Sequence, residues 1–77
     1  MSYKLSDITE DLEVTISEIT AGDGAIKNLT NLGLSVGNTI KILRRSRLGG
    51  PVVVYYRGSE IAIGRGLALK IRVSRDI

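Results

Sequence analysis

Few residues in this chain are able to do chemistry, and their types narrow the choice at once. There is no histidine and no cysteine. That removes histidine-dependent nucleophile systems, thiolate chemistry and the usual ligands for zinc and other transition metals. Carboxylates remain. Asp7, Glu10 and Asp11 cluster near the N-terminus, and carboxylates alone suit hard cations better than soft ones. Six of the eight acids lie within the first 23 residues, on or beside one strand face. Nothing there supplies the apolar pocket that raises a carboxyl pKa. The pattern reads as solvated surface, so neither an enzyme, nor a cofactor, nor a tightly bound metal is expected.

The basic residues are distributed in the opposite sense. Of eleven lysines and arginines only Lys4 and Lys27 precede residue 39, so the C-terminal half is strongly cationic. Such a surface suits an anionic partner, or simply a solvated exterior. Arg44, Arg45 and Arg47 stand near Tyr55 and Tyr56 in the order of elements, and stacking platforms for nucleic acid need exposed aromatics among basic residues. Period-two alternation sends Tyr55 and Tyr56 to opposite faces of a strand, so at most one is available, and nucleic-acid binding is the weaker alternative. Gly22-Asp23-Gly24 and Gly64-Arg65-Gly66 are G-x-G fragments without the rest of a phosphate loop or dinucleotide fingerprint; they read as turns.

The elements that must position these residues are short. Leu5–Ile8 reads as a turn or helical turn. Leu12 to Ser17 alternates apolar and polar residues as a half-buried strand with Leu12, Val14 and Ile16 inward. Ile26, Leu29 and Leu32 then recur every three residues, with Asp23 placed as an N-cap. Gly33 follows where a left-handed C-terminal residue is wanted, and Leu34 folds back onto the helix. Thr39–Leu43 is a second strand ending in the arginine run, Leu48-Gly49-Gly50-Pro51 interrupts it, and Val52–Tyr56 is a third. Arg57-Gly58-Ser59-Glu60 makes a tight hairpin into Ile61-Ala62-Ile63. Leu67-Ala68-Leu69 reads as one helical turn, and Lys70-Ile71-Arg72-Val73 as a closing strand.

Seventy-seven residues, read as one domain over 1–77, bury only roughly 60% of the unfolded chain's surface. The core has no Phe or Trp to draw on, so Ile, Leu and Val must fill it. The fold class expected is mainly β: a small SH3-like barrel of about five short strands, closed so that no edge is exposed, with one short helix between strands 1 and 2. A five-stranded oligonucleotide-binding barrel usually places its helix later. The longest apolar run, Val52–Tyr56, is too short to cross a membrane, and the N-terminus lacks a signal-peptide pattern. A cytoplasmic location without membrane insertion is expected.

The order of turns is specific enough to resemble a known family. Asn31-Leu32-Gly33-Leu34-Ser35-Val36-Gly37, Leu48-Gly49-Gly50-Pro51-Val52, Arg57-Gly58-Ser59-Glu60-Ile61-Ala62-Ile63 and Ala68-Leu69-Lys70-Ile71-Arg72-Val73 are similar, in order and spacing, to the motifs of the ferrous iron transport protein A family. Leu5-Ser6-Asp7-Ile8 looks like its opening motif. Val36 stands where that family usually has Pro, and Asp11 where it often has Gly. The resemblance implies an SH3-like barrel in bacterial ferrous iron uptake. It further implies a non-enzymatic adaptor that binds the cytosolic, GTPase-bearing part of a membrane permease. A similar domain ends iron-dependent transcriptional repressors, and a chain lacking a helix-turn-helix fits the transport setting better. On that reading the contact surface comprises Leu48, Gly49, Gly50, Pro51 and the neighbouring Arg44, Arg45, Arg47 and Arg57, while Gly33, Gly37 and Gly58 set the turns of the fold.

Overall fold

Short β-branched segments punctuated by glycine give six strands. In chain order the elements are β1 (Ser2–Lys4), a 3-10 turn (Leu5–Asp7), β2 (Glu13–Ile19), α1 (Asp23–Asn31), β3 (Thr39–Arg45), β4 (Val52–Tyr56), β5 (Ser59–Ile63), α2 (Arg65–Ala68) and β6 (Ile71–Ser74). The structure is a computed structural model and describes residues 2–8, 11–45 and 49–75. All strands join one antiparallel sheet in the order β1-β6-β2-β3-β4-β5. Inward residues of β2 to β6, together with Leu5, Ile8, Leu29, Leu34 and Ala68, form a single aliphatic core with no buried polar residue among those described, and Tyr3 of β1 packs against it.

This is the mainly β architecture the alternation implies, with three differences. There are six strands rather than five, because Ser2–Lys4 pairs with β6 through Tyr3↔Val73. Three residues carry no readable alternation; only the partner strand makes them β. The helix therefore falls between the second and third strands. The ladder also does not close, leaving β1 and β5 as edges.

Helix α1 is held at its C-terminal end. The Leu34 N–H donates to the Leu29 carbonyl at 2.8 Å and the Gly33 N–H to that of Thr30 at 2.9 Å, with Gly33 at φ +92°. This is the paired Schellman arrangement, and it folds buried Leu34 over buried Leu29. The N-terminal end differs from expectation. Gly22 is the N-cap and Asp23 the first helical residue, with no side-chain capping bond; Asp23 acts only through its charge near the positive end of the helix dipole. Of the three-residue repeat, Leu29 is buried while Ile26 and Leu32 are 37% and 51% exposed. A repeat of three drifts around a 3.6-residue helix, so only its middle member faces the sheet.

Two bulges spare charges from burial. In β2 the register with β6 shifts between Ile16 and Glu18, and in β3 the register with β4 shifts between Ile42 and Arg44. Val14 and Ile16, like Ile40 and Ile42, point into the core. Strict alternation would send Glu18 and Arg44 after them. The extra residue in each strand turns both outward. β3 accordingly continues through Arg44 and Arg45 rather than ending at Leu43.

Candidate protein-interaction site

Of the candidate arginines, Arg44, Arg45 and Arg57 sit on or at the ends of the β3–β4–β5 strands, and local chemistry engages each of these three. Arg44, turned outward by the bulge, lies opposite Val53 and reaches Glu60 on β5 with Nη2–Oε1 2.9 Å. Both side chains are more than half exposed, so the pair contributes only about 0.2–1 kcal/mol. Arg45, next along the strand, is partly buried and donates from Nη1 to the Ser6 carbonyl at 3.1 Å. It thereby ties the end of β3 to the N-terminal 3-10 turn.

Arg57 belongs to a different place. β4 and β5 are joined by the two residues Arg57 and Gly58, flanked by the pair Tyr56↔Ser59. Their φ values of +49° and +85° define a type I′ turn, the form whose twist matches a hairpin. Arg57 is therefore a non-glycine residue held in the left-handed region. Its guanidinium lies 5.3 Å from the Tyr56 ring centroid. The full length of β4 separates it from Pro51, about 20 Å at the usual rise per residue. The structure does not bring Arg57 to the Gly49–Pro51 loop.

That loop instead has a neighbour that sequence order concealed. A Cβ on Gly49, at φ +81°, would lie 3.5 Å from Arg65 Cδ and 3.9 Å from its Nη1. Arg65 opens α2 and remains exposed. The register explains the meeting, since Val52, just beyond the loop, pairs with Ile63, just before Arg65. In the sequence its only signal is the Gly64-Arg65-Gly66 break. Gly49 and Pro51 are exposed and Gly50 is half-buried. Arg47 and Leu48, the remaining predicted members of the surface, lie outside the described residues, as does Glu10 of the N-terminal acidic cluster.

The aromatic residues divide as alternation requires. Tyr55 is 44% exposed, between Lys41 and Glu60 across the sheet, while Tyr56 packs against the core under Arg57. Among the described residues there is no group of three or more Asp or Glu placed to hold a metal ion. Asp7 and Asp11 are exposed, and Asp11 is held at φ +65° with its N–H donating to the Ile42 carbonyl at 2.7 Å. Asp tolerates that left-handed conformation better than most non-glycine residues, so it can stand where the resembling family often has Gly.

Comparison with known proteins places this arrangement. The FeoA domain family matches residues 3–75. The chain belongs to the FeoA family. FeoA is a family of ferrous iron transport, and its members provide the fold seen here. The "Putative Fe(2+) transport protein A" of Methanocaldococcus jannaschii is 44% identical over 71 residues, covering 92% of this chain and 84% of that one. A solved iron uptake regulatory protein, FeoA, superposes with a TM-score of 0.90 at 30% identity, over 99% of this chain and 100% of its own. A manganese-dependent transcriptional repressor gives the same TM-score at 18% identity, over 97% of this chain but 42% of its own; that likeness is one of fold. The SH3-like reading of the FeoA domain is consistent with the six-stranded sheet. No helix among the described residues is long and apolar enough to cross a membrane.

Proposed function

We propose that this chain is a cytoplasmic, non-catalytic adaptor of ferrous iron uptake that docks on the cytosolic, GTPase-bearing part of a ferrous iron permease. The observation that carries the choice of a protein over a nucleic acid is how the arginines are engaged. Arg44 is ion-paired with Glu60, Arg45 is bonded to the Ser6 carbonyl, and Arg57 covers Tyr56. Guanidiniums already engaged by Glu60, the Ser6 carbonyl and the Tyr56 ring must give up those contacts to reach phosphates, whose contacts supply most of non-specific nucleic-acid affinity. Iron is the cargo of the uptake system in this reading and not a ligand of this chain.

The docking surface is the corner formed by Gly49, Gly50, Pro51 and Arg65, and Leu48, which precedes Gly49 in the sequence, is the apolar residue assigned to the contact. Loops between short strands tolerate variation without disturbing the core, which is why recognition is built on them. The test is titration against the cytosolic domain of a ferrous iron permease at low and moderate salt, with an unrelated RNA as control. Saturable binding with little salt dependence, lost in Leu48→Asp and weakened in Arg65→Ala, is the expected result. Salt-steep binding to RNA alone, weakened by Arg45→Ala, would transfer the function to the nucleic-acid alternative.

A further inference from the structure

We infer that the free edge of β5 is a self-association surface, on which β5 of a second copy of this chain pairs antiparallel about a twofold axis at Ile61. The two edges of the sheet are unlike. β1 has three residues and includes exposed Lys4, the short, charged kind of edge that resists pairing. β5 has five residues in unbroken register with β4, and contains neither proline nor lysine. Its single charge, Glu60, is neutralised by Arg44. Among the described residues it therefore has no proline, lysine or bulge to oppose strand addition.

The hairpin determines which backbone groups are free. In a type I′ turn the flanking pair, Tyr56 and Ser59, is hydrogen-bonded, and bonded pairs then alternate along the ladder. Ser59, Ile61 and Ile63 therefore spend their N–H and C=O groups on β4. Those of Glu60 and Ala62 point away from it, and among the described residues no bond is made to them. The spacing is self-complementary. An antiparallel second copy centred on Ile61 sets Glu60 against Ala62 of the other chain on both sides of the axis, each as a doubly hydrogen-bonded pair.

Side chains fit the same register. Ala62, small and exposed, stands opposite Glu60 of the second copy, so the two glutamates are not directly opposed. Ile61 meets Ile61 on the inner face, and at 7% exposure it is the least buried member of the core. One such interface on each copy closes after two subunits and propagates no further. Its area is that of one strand edge, so the dimer is weak and concentration-dependent.

Sedimentation equilibrium of the chain alone, from micromolar to millimolar, tests this apart from any permease binding. The expected result is a monomer–dimer equilibrium, with the Glu60 and Ala62 amides becoming protected from hydrogen exchange as the dimer forms. Ala62→Pro removes an outward N–H that β4 does not use, and should raise the dissociation constant roughly tenfold or more. Ala62→Glu should also weaken the dimer by placing like charges opposite each other, whereas Ala62→Lys, facing Glu60, should not. Circular dichroism of the charge variants separates loss of pairing from loss of fold. A monomer at every concentration overturns the proposal. So does a dimer indifferent to Ala62→Pro and to the sign of the charge at 62, or edge amides protected only by a permease-derived peptide.

Discussion

The helix end of this molecule and its arginine end hold themselves together by opposite means. Around α1 the work is done by backbone bonds and apolar burial: Leu29 and Leu34 are fully buried, and Gly33 closes the cap. Around Arg44 and Arg45 it is done by polar contacts at or near the surface, one of them an exposed ion pair. Burial is insensitive to salt and costly to remove, while exposed charge pairs are screened and nearly free to lose. The arginine contacts lie outside the core that Ile42, Val52 and Ile63 share with Leu29 and Leu34, so they can change without unfolding the domain.

The most direct way to break this contrast is Leu29→Ala. It removes the only fully buried side chain of α1 and should cost about 2–5 kcal/mol, enough to unfold much of so small a domain on heating. A thermal scan showing a loss below about 1 kcal/mol would mean α1 is not anchored there. At the arginine end the expected maximum is Arg45→Ala, at about 1.5 kcal/mol, because it strips a charged donor from the Ser6 carbonyl in a partly buried site. Gly33→Ala should follow at about 1 kcal/mol. Nothing lies within 4 Å of an added Cβ there, so the penalty is backbone strain alone.

Val36 offers a change of opposite sign. It occupies the second position of the Ser35–Asn38 turn, where the Asn38 N–H donates to the Ser35 carbonyl at 3.2 Å and Gly37 has φ +97°. That position favours proline, and Val36→Pro should stabilise by about 0.5 kcal/mol, read as a rise in melting temperature. The smallest effect belongs to Arg44→Ala, under about 0.5 kcal/mol at low ionic strength and vanishing in high salt. If Arg44→Ala proved more damaging than Arg45→Ala, the assignment of surface and structural roles within the run would be reversed.

Much of the fold was legible because its signals are local. The Arg57-Gly58 hairpin, the Gly33 cap with Leu34 returning over Leu29, and the 3-10 turn at Leu5 each follow from a few adjacent residues. The candidate site was legible only as a loop. Arg57 stands at the far end of β4 from that loop, and Arg65, which follows Arg57 by eight residues, is the arginine that lies against Gly49. Distance along a hairpin and contact between separate loops depend on register, which no short segment encodes.

By itself, the sequence determined an aliphatic, mainly β domain, the positions of its turns, and the lack of histidine and thiol chemistry, because φ preferences, period-two alternation and residue types are properties of neighbours. The tertiary structure alone decided that Ser2–Lys4 becomes a sixth strand, that bulges after Ile16 and Ile42 turn Glu18 and Arg44 to the surface, and that β5 is left as an open edge. Each of these is a consequence of strand pairing, and pairing exists only once distant segments share one core.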